Sequence, residues 1–207
     1  MTIAAKPPNE DARLAALRSF HILDTPAEKT FDDLVRLASY ICQSPVAMVS
    51  FVDRDRQWFK AKVGVEIQQT SRDMAFCAHA ILCPEDLLIV PDASKDERFF
   101  DNPLVTDAPK VRFYAGAPLV TEGGYPLGTL CVVDHMPKEL DAGQIKALTV
   151  LRNLVVRELE LHKKNGELLE AIRNLEQAKG ELLQNSQRYR DLVQALRSAL
   201  PKSDISA

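Results

Sequence analysis

RFYAGAPLVTEGGYPLGTLCVVD, residues 112–134, decides the fold. Two apolar runs, Arg112–Thr121 and Leu127–Asp134, flank Glu122-Gly123-Gly124-Tyr125-Pro126, and this pattern predicts two antiparallel strands joined as a hairpin. A second hairpin lies upstream. Val46–Val52 is β-rich enough for a largely buried strand, Asp53-Arg54-Asp55-Arg56 is a polar connection, and Gln57–Val63 follows. In that last run Phe59, Ala61 and Val63 alternate with Lys60 and Lys62, which predicts one packed face and one wet face. Ahead of this hairpin come two helices. The first has Asn9 as N-cap, Glu10 and Asp11 in its first turn and a Leu14, Leu17, Phe20 stripe. The second spans Glu28–Gln43 with Phe31, Leu34, Val35, Ala38 and Ile41 on one face, and Pro45 prevents its continuation. Between the hairpins lie a polar loop at Gly64–Asp73, a short helical piece at Phe76–Leu82, a short strand at Leu87–Val90 and a long Asp- and Pro-rich crossing at residues 91–109. A crossing of that length commonly covers a pocket. The tally is an α+β fold: an antiparallel sheet of about five strands with helices on one face.

Composition divides the 207 residues sharply. Eleven of twelve prolines, the single Trp and all eight Phe precede residue 140. Residues 1–140 carry 15 basic and 20 acidic side chains, whereas 141–207 carry 11 and 9, so an acidic globular unit is followed by a slightly basic segment of helical composition. A net charge of −3 gives no nucleic-acid or anionic-membrane footprint. No apolar run reaches the ~20 residues that span a bilayer, and MTIAAKPPNED lacks the layout of a secretion signal, so a cytoplasmic location is expected. Cys42, Cys77, Cys83 and Cys131 follow no zinc or Cys-x-x-Cys spacing and read as four buried thiols.

ILDTPAEKTFDDLVRLASYICQSPVAMVSFVDRDRQWFKAKVG, FCAHAI, DASKDERFFDNPLV, RFYAGAPL and LGTLCVVD, in this order across about residues 10–160, resemble the GAF domains at the front of bacterial sensor histidine kinases and cyclic di-GMP enzymes. The resemblance implies strand order 2-1-5-4-3, terminal helices on one face and a small-molecule pocket on the other, roofed by FCAHAI and the DASKDERFFDNPLV loop. Carried onto this sequence, it implies a ligand-binding set of Phe76, Cys77 and His79 from the roof helix, Asp92, Arg98 and Phe99 from the long loop, and Tyr114 and Thr129 from the sheet. Arg112, heading its strand, is the candidate to meet an anionic ligand. Cys77-Ala78-His79 interposes a residue where bilin-binding members place Cys and His in succession, and the cyclic-nucleotide-binding pattern of phosphodiesterase GAF domains is missing. The cofactor or ligand is therefore left unnamed.

From about Asp141 the apolar residues fall into heptads. Leu154, Leu161, Leu168, Leu175, Leu182, Tyr189 and Leu196 recur at every seventh position, with Leu151, Asn165, Ile172 and Val193 among the intervening a positions. The expectation is a coiled-coil helix over 141–200 of roughly 90 Å, with these residues as a homodimer interface and 201–207 as a disordered tail. Asn165 in the seam favours a parallel two-stranded pairing, and Gly166 and Gly180 mark weak points. SQRYRDLVQAL, 186–196, resembles the lead-in helix of a PAS domain.

These readings predict three segments: a sensory domain at 1–140 whose closing helix continues to about 160, the coiled coil at 141–200, and the tail. The expected function is a sensory input module that binds a small molecule or senses redox state and signals to an output domain. No kinase or cyclase motif is present in the chain, so it is not expected to be an enzyme itself. Two alternatives stand beside it: a thiol-dependent methionine sulfoxide reductase using Cys77 with Cys83 or Cys131, and a dimerisation module without ligand.

Overall fold

The computed structural model describes residues 1–199. Within it the 112–134 hairpin forms β5 (Phe113–Val120) and β6 (Pro126–Asp134), paired antiparallel from Phe113 opposite Asp134 to Val120 opposite Pro126. β6 pairs in turn with β1 (Val46–Val52), and β1 with β2 (Arg56–Val63), both antiparallel. β3 (Gln69–Ser71) extends the β2 edge and β4 (Leu88–Val90) the β5 edge, giving the order β3-β2-β1-β6-β5-β4. The sixth strand is β3, inside the expected Gly64–Asp73 loop. Three mostly exposed residues carry no periodicity, and β3 exists because the β2 edge offers backbone partners at Arg56, Gln57 and Trp58. With β3 set aside, the remaining strands follow the 2-1-5-4-3 order that the GAF resemblance implies.

The sheet is covered on both faces, so β1, β5 and β6 are apolar almost without interruption. On one face, Ala47, Val49 and Phe51 of β1 and Phe113, Ala115 and Ala117 of β5 share a core with α1 (Glu10–Ser19) and α2 (Lys29–Cys42). Leu17, Phe20, Phe31, Val35 and Ala38 fill that layer, each large side chain contributing about 1.5–3 kcal/mol by burial. On the other face, Val46, Met48 and Val52 with Tyr114, Cys131 and Val133 pack under two short helices, α3 (Phe76–Ala80) and α4 (Pro103–Thr106).

The expected wet face of β2 is overturned by a β-bulge. The register with β1 shifts between Val49, opposite Ala61, and Ser50, opposite Phe59, leaving Lys60 as the extra residue. Lys60 is buried on the helix side, donating to Thr25 Oγ1 (2.7 Å), the Pro26 carbonyl (2.7 Å) and Glu28 Oε1 (2.6 Å), while Phe59 belongs to the opposite core. A lysine that finds three oxygens can be interior. A second buried ionic cluster joins Glu10 to Arg13 and Arg72; Arg72 also donates to the carbonyls of Asp53 (3.1 Å) and Arg54 (3.3 Å), tying α1 to the β1–β2 turn. The four cysteines divide: Cys42, Cys77 and Cys131 are buried, but Cys83, beyond the end of α3, is exposed.

The last helix, α5, runs without a break over Ala142–Ala199. Residues Met1–Lys163 form one unit, and the helix from Lys164 belongs to another. In the first unit Leu148, Leu151, Val155 and Leu159 are buried in the helix-side core, so Leu151 is not available as an interface residue and is removed from that set. The physical reason is the 3.6-residue turn: 148, 151, 155 and 159 form one stripe facing the domain. Leu154 and Leu161 lie off it, at 41% and 53% exposure. In the second unit Leu168, Ile172, Leu175, Leu182, Tyr189, Val193 and Leu196 are all exposed. The expected tail, 201–207, lies outside the described residues.

Candidate functional site

Between the sheet and α3–α4 lies a cavity of about 80 Å³. Val46 and Met48 of β1, Gln57 and Phe59 of β2, Thr70 of β3 and Tyr114 of β5 line it from the sheet. Ala75, Phe76, Cys77, Leu104, Pro109 and Val111 close it from the opposite side. The wall is apolar except at a few points, and two of these lack partners: Gln57 Oε1 and Thr70 Oγ1 are buried without a hydrogen bond. Such atoms carry a desolvation cost that a ligand or water can remove. The enclosed volume is well below the ~300 Å³ at which sites for drug-sized ligands begin.

A cluster built around Cys77 lies at the cavity wall. Thr129 Oγ1 (3.0 Å), Ser50 Oγ (3.2 Å) and the Tyr114 hydroxyl (3.2 Å) all donate to its sulfur, and Cys131 Sγ lies 3.9 Å away. Strand parity explains the convergence: Met48 and Ser50, then Thr129, Cys131 and Val133, then Tyr114 all project to the roofed face. A side chain at Gly116 would place its Cβ 2.1 Å from the Tyr114 hydroxyl. Gly116 therefore makes room for the phenol to reach the sulfur. Burial opposes ionisation of Cys77, yet its contact with the Cys131 sulfur and the hydroxyls of Ser50, Thr129 and Tyr114 outweigh it and hold the thiol below its ordinary value. Cys131 moves the other way, raised by its bond with Cys77 and by burial. Tyr114 is also raised, chiefly by burial. The site thus holds one sulfur disposed to be a thiolate beside groups that keep their protons.

The expected ligand set is only partly brought together. Phe76, Cys77 and Tyr114 line the cavity. Thr129 sits behind Cys77, fully buried, and Phe99 backs the wall by stacking on Phe76 at 4.0 Å. His79 is turned away, its Nε2 3.1 Å from the Thr2 carbonyl and its ring edge-on to Phe99; burial moves its pKa down. Asp92 accepts from the Ser94 amide and hydroxyl and pairs with Lys95. Arg98 pairs with Asp96 and lies over Phe99. Arg112 donates to the Val105 and Val111 carbonyls, clamping the end of the long crossing. These four polar residues build the roof's scaffold, so the wall is more apolar than a charged ligand set implies.

Sequence reasoning passed over Gln57, Thr70 and Ser50, and named Cys131 only as an alternative to Cys83 beside Cys77. For Ser50 and Cys131 period-two parity with Met48 and Thr129 was the available signal. Gln57 and Thr70 had none, because β3 and the β2 bulge arise only in the folded sheet. Asn102 was also unforeseen: it caps α4 through Leu104 N (2.9 Å) and donates to the Met74 carbonyl (3.1 Å), joining the two halves of the roof.

A roofed antiparallel sheet with terminal helices on its reverse is the arrangement that the GAF resemblance implies. The GAF domain family profile matches residues 26–159, and the chain belongs to that family. A cyclic di-GMP phosphodiesterase of Pseudomonas aeruginosa is 43% identical over 132 residues, spanning 64% of this chain but 22% of its own length, so the chain spans about a fifth of that relative. Among solved structures, the GAF domain of a phosphoenolpyruvate-protein phosphotransferase from Coxiella burnetii superposes with a TM-score of 0.57 at 13% identity, covering 75% of this chain and 96% of that one. The free methionine-R-sulfoxide reductase of Neisseria meningitidis, crystallised with its substrate, superposes at 0.55 with 11% identity, covering 80% and 98%. At such identities the superpositions speak to the fold alone.

Proposed function

We propose that this chain is the sensory input module of a cytoplasmic signal-transduction protein, of the sensor histidine kinase type or within a cyclic di-GMP enzyme such as the Pseudomonas relative. The observation that carries this reading is the roofed apolar cavity with Gln57 Oε1 and Thr70 Oγ1 buried and unpartnered. It suits a compact, largely apolar ligand with one hydrogen-bond donor. A ligand filling it bears on α3 and on the face of β6 opposite the α5 packing stripe. The exposed heptad series pairs with its own copy as a parallel homodimer and carries the change to an output domain in cis or trans. Native mass spectrometry of protein purified without additions should show a dimer and a small retained mass. Spin-label distances across the dimer from Leu154 to Leu196 should differ between loaded and emptied protein; unchanged spacing overturns the reading.

The thiol-dependent reductase is the second reading, favoured by the approach of Cys77 to Cys131. Among the described residues, however, the cavity wall holds no buried cation or carboxylate for the charged ends of a free amino-acid sulfoxide, its one imidazole, His135, being exposed. Methionine sulfoxide turnover lost on Cys77→Ser would establish it. Its absence in the wild type would remove it.

A further inference from the structure

We infer that Cys77 and Cys131 form a peroxidatic pair: Cys77 is oxidised by a small hydroperoxide entering the cavity, and Cys131 resolves the product to an internal disulfide. Three features point there together. The Cys77 sulfur receives three hydroxyl donors, from Ser50, Thr129 and Tyr114, an arrangement that stabilises a thiolate at a fully buried position. Cys77 and Tyr114 both line the 80 Å³ cavity, whose size admits hydrogen peroxide or a short alkyl hydroperoxide while excluding large oxidants. A second thiol stands 3.9 Å away on β6, whereas Cys83, the exposed thiol, lies past the end of α3. The pair deepens the sensory reading and rests on it for the consequence, though not for the chemistry.

The steps balance. The Cys77 thiolate attacks the distal peroxide oxygen; the S–O bond forms, the O–O bond breaks, and the leaving alkoxide or hydroxide takes up the proton lost when the thiol ionised. The Cys131 sulfur then attacks the Cys77 sulfenic acid, the S–S bond forms, and the hydroxyl leaves with the Cys131 proton as water. Two thiols are oxidised and one hydroperoxide is reduced to an alcohol or water. An external dithiol reverses the change by exchange. A disulfide of about 2.05 Å requires the sulfurs to close by nearly half their present separation, drawing α3 toward β6 and loosening the Tyr114 contact. Oxidation therefore reshapes the cavity that the ligand reading uses.

The test is oxidation of the reduced full-length chain with one equivalent of hydrogen peroxide, followed by peptide mapping without reductant. Expected is a linked Cys77–Cys131 peptide pair, formed about tenfold or more faster than Cys83 is oxidised. In Cys131→Ser a sulfenic acid should accumulate at Cys77 and be captured by dimedone. Tyr114→Phe, which keeps the ring and removes one donor, should slow Cys77 oxidation by about tenfold. Oxidation of Cys83 first, a Cys77–Cys83 link, or a Tyr114→Phe rate equal to wild type overturns the inference. Retained ligand in unreactive protein would leave the sensory reading standing while this pair falls. A disulfide that leaves the dimer's spin-label distances unchanged would do the reverse.

Discussion

Glu10 shows how much one side chain can hold. Burial alone would raise its pKa, but hydrogen bonds from Arg13 and Arg72, reinforced by their charges, bring it from 4.5 down to about 2. A carboxylate depressed by folding adds stability above its unfolded value, and that contribution is lost as pH falls from about 4.5 toward 2. Glu10→Gln should therefore cost about 2 kcal/mol at pH 7, less than for a wholly enclosed pair because the carboxylate keeps some solvent. Urea unfolding should show the difference from wild type shrinking below pH 4.5. At Gly116 the limit is steric. Gly116→Ala drives a methyl into a rigid phenol and should destabilise by about 1–3 kcal/mol while exposing Cys77 to alkylation. In a Tyr114→Ala background the same substitution should cost far less, since the atoms it meets are gone.

Among elements, α5 performs two tasks with two stripes. Leu148, Leu151, Val155 and Leu159 close the domain core, and the heptad residues from Leu154 onward remain exposed. Heptad periodicity revealed only the second set and counted Leu151 in it; the first set required the sheet it packs beside. Gly166 and Gly180 have open space where a Cβ would stand. Gly180→Ala should thus stabilise the helix by about 1 kcal/mol, read as a higher midpoint by circular dichroism. Asn165→Leu should strengthen association and admit assemblies beyond the proposed dimer, measurable by sedimentation, because an apolar a position no longer requires two strands. In contrast, β3 shows an element whose cause lies outside its own residues: Gln69–Ser71 is a strand because β2 has an open edge.

For the whole molecule, the division at Lys163–Lys164 separates a unit with its own two-sided core from a helix whose apolar residues are exposed. Two unfolding transitions are expected. The domain's should be independent of protein concentration and the helix's should rise with it, since only the second gains from association. A single concentration-independent transition would show that the heptad face has no partner. The hairpins at 46–63 and 112–134, helices α1 and α2, and α5 were all legible, because each carries its periodicity or turn chemistry locally. The site was legible only in part. Phe76, Cys77 and Tyr114 reach the cavity, whereas Asp92, Arg98 and Arg112 are taken up by neighbours along their own loop and His79 by the Thr2 carbonyl and the Phe99 ring.

The amino-acid sequence by itself determined the α+β class, the long helix and its heptads, since these follow from patterns repeated over many residues; the strand order of the main sheet came only with the resemblance to GAF domains. Tertiary structure alone decided that Lys60 turns inward, that Leu151 belongs to the domain, and that Cys77 stands 3.9 Å from Cys131 with three hydroxyls on its sulfur. The Lys60 and Cys77 outcomes depend on register between paired strands, and that of Leu151 on which stripe of α5 meets the core. A one-residue bulge reverses which face a side chain takes, and no local pattern records where that bulge falls.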